Sequence, residues 1–149
     1  MLLNEMLLID RIKVNVEAKG WEEAIDIGGN LLIDQALIEK SYIEAVKQTL
    51  RSLGPYIVLA PGIAISHSRP ENGVHKTCMS LIQLKEPVEF GHDTNDPVKV
   101  IFTLATTDKE AHLQSLRQLM SLMMVSEDLE VLFTAKDVDD IIEVINKHS

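Results

Sequence analysis

The chain has a single cysteine, Cys78, among its 149 residues. No internal disulfide is possible, and a reducing, cytoplasmic setting is compatible. No stretch supplies the roughly 18–20 consecutive apolar residues that a membrane-spanning helix needs. The apolar-looking start, Met1 to Arg11, carries Glu5 and Asp10 and lacks both a basic n-region and a small-residue cleavage site. A helix or extended arm packed on the core is therefore expected there rather than a signal peptide. Repeats, low-complexity tracts and Gly/Pro-rich linkers are also missing, so residues 1–149 are expected to form one domain. Cationic runs are absent: Lys+Arg is 14 against Asp+Glu 23, a formal net charge of −9. That balance argues against nucleic acid or an anionic membrane as the main partner. It suits docking on a basic patch of another protein.

Several chemistries are excluded by missing motifs. The five histidines are His67, His75, His92, His112 and His148, and none stands at the short spacings typical of zinc ligands, so no metal site is expected. Ser66 and Ser68 flank His67, but neighbours on an extended segment point to opposite faces, so Ser66 and His67 do not make a nucleophile–base pair. A G-x-S-x-G elbow is also absent. Gly28-Gly29 falls within a helical pattern rather than after a strand, so there is no phosphate-binding loop or dinucleotide fingerprint, and no organic cofactor is expected.

What is present is an ordered series of helices and strands. Ile12–Val16 alternates as a half-buried strand near a sheet edge. Trp21 to about Gln35 reads as a helix, weakened by its two central glycines. A second helix is expected from the capping-box spacing Ser41-Tyr42-Ile43-Glu44 to about Leu53, stopped by Gly54-Pro55. Tyr56–Ala60 is continuously apolar and suits a short strand covered on both faces. Ile63–Ile65 is another short run, opening into the polar turn-rich loop Ser66–Gly73. Thr77–Leu84 returns to strand, with Cys78, Ile82 and Leu84 facing one way and Met79 and Leu81 the other. Residues 87–97 read as loop around Val88–Phe90. In Val98–Ala105, a central strand, Val98, Val100, Phe102 and Leu104 oppose Ile101 and Ala105. Thr107-Asp108-Lys109-Glu110 is a second capping box, opening a helix that carries Leu113, Leu116, Leu119, Met120, Met123 and Met124, with Met120–Met124 expected in its core. Ser126 is expected to cap a helix through Phe133, and Asp137 to begin a last one buried through Val138, Ile141, Ile142 and Ile145. Doubly covered strands need helices on both sides, so the expected fold is a three-layer α/β/α sandwich with a central mixed sheet.

Among the polar residues, His67 stands where a short apolar strand opens into a polar loop, a place where a rigid scaffold presents a side chain. Ser66, Ser68 and Arg69 surround it in sequence, and hydroxyls and a guanidinium are what a phosphoryl group binds. Neutral imidazole is a competent nucleophile toward phosphorus. The residues alone leave two readings, a phosphoryl acceptor or a loop histidine without a role. His112, in the first turn and a half of the helix after Thr107, lies where free N–H groups and the helix dipole favour an anion. Alone it reads as a polar residue on a helix face; with His67 it makes a nucleophile–stabiliser pair. His75 and His92 fall in or beside turns and are expected to be solvated, His148 lies near a frayed terminus, and Cys78 reads as a buried thiol.

Leu59-Ala60-Pro61-Gly62-Ile63-Ala64-Ile65-Ser66-His67 resembles the active-site strand of enzyme IIA (EIIA type-2) domains of the bacterial phosphoenolpyruvate-dependent sugar phosphotransferase system (PTS), in the mannitol–fructose superfamily. Arg69-Pro70-Glu71-Asn72-Gly73-Val74, Leu84 to His92 and Asn95-Asp96-Pro97-Val98 are most similar to the ascorbate-type branch, and the likeness covers nearly the whole chain. The resemblance implies that His67 accepts a phosphoryl group from the histidine-containing phosphocarrier protein (HPr) and passes it to a cysteine of a IIB component. That component serves a membrane IIC transporter, here for L-ascorbate or a related pentitol or sugar acid. His112 matches the family's second active-site histidine, and Ser66 and Arg69 would lie at the phosphate. Ser66 stands where the family usually has proline, and Arg51 matches the upstream arginine of mannitol-type members only loosely. A homo-oligomer is compatible. Two rival readings remain: a regulator phosphorylated on the same histidine that acts by binding other proteins, and a binding module with a dead site.

Overall fold

The computed structural model describes residues 1–149. Five strands form one sheet: β1 (Ile12–Val16), β2 (Val58–Ala60), β3 (Ile63–Ser66), β4 (Cys78–Val88) and β5 (Val98–Ala105), in the order β1-β4-β5-β3-β2. β1 is parallel to β4 and β3 to β5, while β4–β5 and β2–β3 are antiparallel, so the sheet is mixed. Two helices, α2 (Trp21–Ile33) and α3 (Lys40–Leu53), cover one face. The other face carries α1 (Leu3–Met6), α4 (Lys109–Met123), α5 (Ser126–Thr134) and α6 (Val138–Lys147). This is the expected α/β/α sandwich with its two cores. The N-terminal arm packs as expected, with Leu3, Met6 and Leu7 buried against the α4–α6 layer. No helix is long and apolar enough to cross a membrane.

The side-chain alternation of β4 divides the cores as its period of two requires: Cys78, Ile82 and Leu84 face α2 and α3, Met79 and Leu81 the other layer. Cys78 is fully buried, which pushes its thiol up to about 12. In β5 the alternation holds from Val100 to Ala105, but Val98 lies with Ile101 and not with Val100. The amides of Lys99 and Val100 both donate to the carbonyl of Gly62. Two residues thus oppose one, as in a bulge, and the face changes there.

Other expectations need correction. The strand expected over 56–60 is shorter, because Tyr56 N–H donates to Gly54 and Val58 N–H to Pro55 in local turns. It is also an edge strand, with Leu59 half exposed. β4 continues through Val88 rather than ending at Leu84. The capping boxes at Ser41 and Thr107 and the Ser126 cap do not form. α3 starts at Lys40 with Glu39 as its N-cap, and Ser41 Oγ instead donates to Asn72 O at 2.7 Å. The cap of α4 is Asp108, and Ser126 is the first residue of α5, after Val125. Met120 and Met124 are exposed rather than core, since α4 packs through Leu119 and Leu122. His148 is not frayed: its Nε2 lies 2.8 Å from the Asp128 carboxylate, which Lys147 also grips at 2.7 Å. These two partners hold the Asp128 carboxyl below its usual range.

The two glycines that weaken α2 as a helix are what lets it approach its neighbours. A Cβ on Gly28 would stand 2.8 Å from Thr103 Oγ1, and one on Gly29 would stand 2.5 Å from both Cδ1 and Cγ1 of Ile43. Alanine at position 29 would gain about 1 kcal/mol of helix propensity. Ile43 is buried and has little room to move, and overpacking of a filled core costs about 1–3 kcal/mol. Gly29→Ala is therefore expected to lower the urea midpoint at unchanged m-value, despite its better helix propensity.

Candidate active site

β3 and β5 run parallel, with Ser66 in register with Thr103, so both end at the same edge of the sheet. Two connections leave from that edge. One begins with His67 directly after β3; the other passes Thr106 and Asp108 into the N-terminus of α4. Clefts in open α/β sheets form outside the carboxyl ends of strands, and a cleft of about 940 Å³ lies here. Its wall includes His67, Ser68, Arg69, Asn72, Asp108, Lys109 and His112, together with Thr49, Leu53 and Tyr56 from the end of α3 and the turn after it.

The imidazoles of His67 and His112 are neighbours, with ring centroids 5.3 Å apart and planes at 48°. They come from segments 45 residues apart that meet only because β3 and β5 pair. His67 Nδ1 lies 2.7 Å from the carbonyl oxygen of Ile65. A carbonyl can only accept, so Nδ1 carries the proton, and in the neutral ring Nε2 keeps its lone pair. The His67 ring also meets the Tyr56 ring edge-on, at 5.4 Å and 74°. His112 is held below the ordinary histidine range, first by burial and then by the nearby His67.

At the start of α4, Asp108 Oδ1 accepts from Ala111 N–H at 2.8 Å. The amides of Lys109 and Glu110, the first two of the helix, have no intrahelical acceptor. Together with the Arg69 and Lys109 side chains they make this end of the cleft attractive to an anion. Ser68 Oγ accepts from Asn72 Nδ2 at 2.8 Å, which leaves the hydroxyl proton free to donate.

Of the four residues singled out from the sequence, His67, His112 and Arg69 line this cleft. Ser66 does not. Its side chain is fully buried on the face shared by Ala64 and Thr103, the one that α2 and α3 cover, and its hydroxyl has no partner. The alternation that separates Ser66 from His67 sends the serine into the core. Arg51 also points elsewhere, pairing with Glu22 at 3.3 Å and lying over Trp21. Tyr56, Thr49, Thr106 and Asn72 were not singled out from the sequence, because no local pattern marks a residue that reaches a cleft through tertiary packing. His75 is exposed and pairs with Glu39, and His92 Nδ1 accepts amide N–H bonds from Thr94 and Asn95. No group of three His, Cys, Asp or Glu side chains is arranged to hold a metal ion.

This arrangement presents one free imidazole nitrogen, a second imidazole and a helix N-terminus to one small volume, which suits transient binding of a phosphoryl group. A model of the family described as "Phosphoenolpyruvate-dependent sugar phosphotransferase system, EIIA 2" matches residues 5–148. The ascorbate-specific PTS system EIIA component of Escherichia coli (strain K12) is 37% identical over 137 residues, covering 91% of this chain and 89% of that protein. The solution structure of the mannitol-specific cryptic phosphotransferase enzyme IIA from Escherichia coli superposes with a TM-score of 0.90 at 37% identity, covering 99% of each chain. The enzyme IIA-mannitol of Escherichia coli, solved in complex with phosphorylated enzyme IIB-mannitol, has the same fold, with a TM-score of 0.81 at 24% identity over 93% of this chain and 95% of that one.

Proposed function

Because the chain belongs to the EIIA 2 family of the phosphoenolpyruvate-dependent sugar phosphotransferase system, whose members are phosphocarriers working through a phosphohistidine, we propose that His67 carries the phosphoryl group on Nε2. One observation carries the assignment of the atom: Nδ1 is committed to the carbonyl of Ile65, so Nε2 is the ring nitrogen with a lone pair to give. In the first half-reaction that lone pair attacks phosphorus in line. The bond from phosphorus to the donor histidine breaks, and the donor imidazole keeps the electron pair. The Nδ1 proton stays in place, and the Ile65 carbonyl stabilises the positive charge that develops on the ring. His112, the Ser68 hydroxyl and the amides at the start of α4 share the charge of the equatorial oxygens. In the second half-reaction a thiolate attacks the same phosphorus, and Nε2 recovers its lone pair.

The donor is HPr, and the acceptor is a cysteine of a IIB component that feeds a membrane IIC transporter. A IIA protein of the same fold has been solved with its phosphorylated IIB partner, which supports this order. The formal charge of −9 favours docking on a basic carrier surface. The transported sugar is L-ascorbate or a related pentitol or sugar acid. The ascorbate-specific relatives at 35–37% identity support this, although a mannitol-specific protein is equally similar. The reading assigns the working site to a domain of residues 1–149 in a cytoplasmic setting.

The test is reconstitution with phosphoenolpyruvate, enzyme I and HPr, followed by intact mass. A gain of one phosphoryl group is expected, acid-labile and base-stable. The phosphorylated protein is then offered an ascorbate-type and a mannitol-type IIB. Faster discharge to the ascorbate-type cysteine is expected; preferential discharge to the mannitol type would reassign the sugar.

A further inference from the structure

The chain has two tyrosines, and both hydroxyls end on one peptide unit. Tyr56 O–H donates to the carbonyl oxygen of His67 at 2.7 Å. Tyr42 Oη accepts from the N–H of Ser68 at 2.9 Å. That carbonyl and that N–H belong to the same peptide, the one leaving His67. Tyr42 is fully buried and passes its own proton to the carbonyl of Leu104, at 2.7 Å, near the end of β5. The peptide is thus tied on one side to the sheet and on the other to the turn after α3.

We propose that Tyr42 and Tyr56 form a clamp on the 67–68 peptide, and that Tyr56 is a positioning residue for phosphoryl transfer at His67. The step rests on the reading of His67 as the phosphoryl acceptor. The bond from Nδ1 to the Ile65 carbonyl spans only two residues, so it survives only while the backbone on both sides of His67 keeps its torsions. β3 fixes the preceding side through its pairing with β5. The following side opens into a loop and has no ladder to hold it; the two hydroxyls take that role. The Tyr56 ring adds a second restraint, standing edge-on to the His67 imidazole. Tyr56 does not reach the phosphoryl group through its hydroxyl, which is already spent on the carbonyl. Its effect is on which ring nitrogen holds the proton and where Nε2 aims.

Tyr56→Phe removes the hydroxyl and keeps the ring, so it is the decisive variant; Tyr42→Phe takes a fully buried hydroxyl from the core and its acceptor from the part-buried Ser68 N–H, and serves as a companion only if it folds. Small misplacements of a reacting group cost up to about 100-fold. Single-turnover transfer from phosphorylated HPr to Tyr56→Phe is expected to fall roughly 10-fold at saturating donor, with the half-saturating donor concentration within about twofold of wild type. The second readout is the pair of His67 ring ¹⁵N shifts in the unphosphorylated protein. Wild type is expected to show one protonated Nδ1 and one unprotonated Nε2, and Tyr56→Phe a pair drawn toward the average of the two tautomers. A variant with wild-type saturating rate and wild-type ¹⁵N shifts overturns the clamp. So does a change confined to half-saturation, which would make Tyr56 a docking residue. If wild type itself accepts no phosphoryl group, the reading of His67 fails, and the ¹⁵N comparison still decides whether the hydroxyl fixes the ring.

Discussion

His67→Ala is expected to abolish phosphorylation by the enzyme I–HPr chain while leaving the fold in place. The loss is complete because no other group in the cleft can take over. His112 is the only other imidazole there, and its ring sits 5.3 Å away on a helix rather than at the end of β3, so it does not occupy the in-line position that Nε2 leaves. The folding cost is small because the His67 side chain is half-buried at the rim of the sheet. Its removal forfeits one hydrogen bond to Ile65 and an edge contact with Tyr56, together about 1 kcal/mol, or a fall of roughly 2–4 °C in Tm. Intact mass and a thermal melt check the two halves. Stoichiometric labelling of the variant would remove His67 from its role.

His112→Ala is expected to keep His67 phosphorylatable but to slow transfer by about 10²–10³, the usual cost of deleting one donor aimed at developing phosphoryl or oxyanion charge. The pH behaviour gives an independent check. Burial and the adjacent His67 hold His112 below its ordinary range in the unphosphorylated protein. A lowered folded-state value means that the neutral form is favoured: the associated stability is full above the unfolded value and is lost as pH falls below it, toward the lowered folded value. Once His67 carries a phosphoryl group, a negative neighbour faces His112, and the protonated form is favoured instead. NMR titration is expected to show the His112 value rise on phosphorylation. An unchanged or lowered value would mean that His112 does not face the phosphoryl group, and a wild-type transfer rate in His112→Ala would remove its role altogether.

Much of this was legible in the sequence, for reasons that are local. The two faces of β4 follow from a period of two, and the helices of the C-terminal half from runs of leucine and isoleucine at helical spacing. His67 stands out as a candidate because a short apolar strand opening into a turn-rich polar loop is a local pattern. The structure departs from the local pattern where a local signal meets a competing partner. The Ser41 hydroxyl had a carbonyl at Asn72 to bond instead of its own helix start. Val98 changed face because two amides share the Gly62 carbonyl. Met120 and Met124 have the right spacing for an apolar face, but the helix meets the core through Leu119 and Leu122, with Leu116 and Met123 packed beside them.

The sequence by itself determined the element order and the sandwich architecture, because both depend on periodicity and turn residues within a few positions; it made His67 a candidate phosphoryl acceptor and left a loop histidine without a role as the other reading. Only the tertiary structure decided that His112 stands beside His67, that Ser66 turns away from the cleft into the core, and that Nε2 is the nitrogen left free. It alone brought the hydroxyl of Tyr42 to Ser68, 26 residues away, and to Leu104, 62 residues away. A side-chain hydroxyl carries no signal of the partner it will find. That partner is fixed when strands and helices distant in sequence pack, since burial leaves each polar group a costly choice between the acceptors within reach and none.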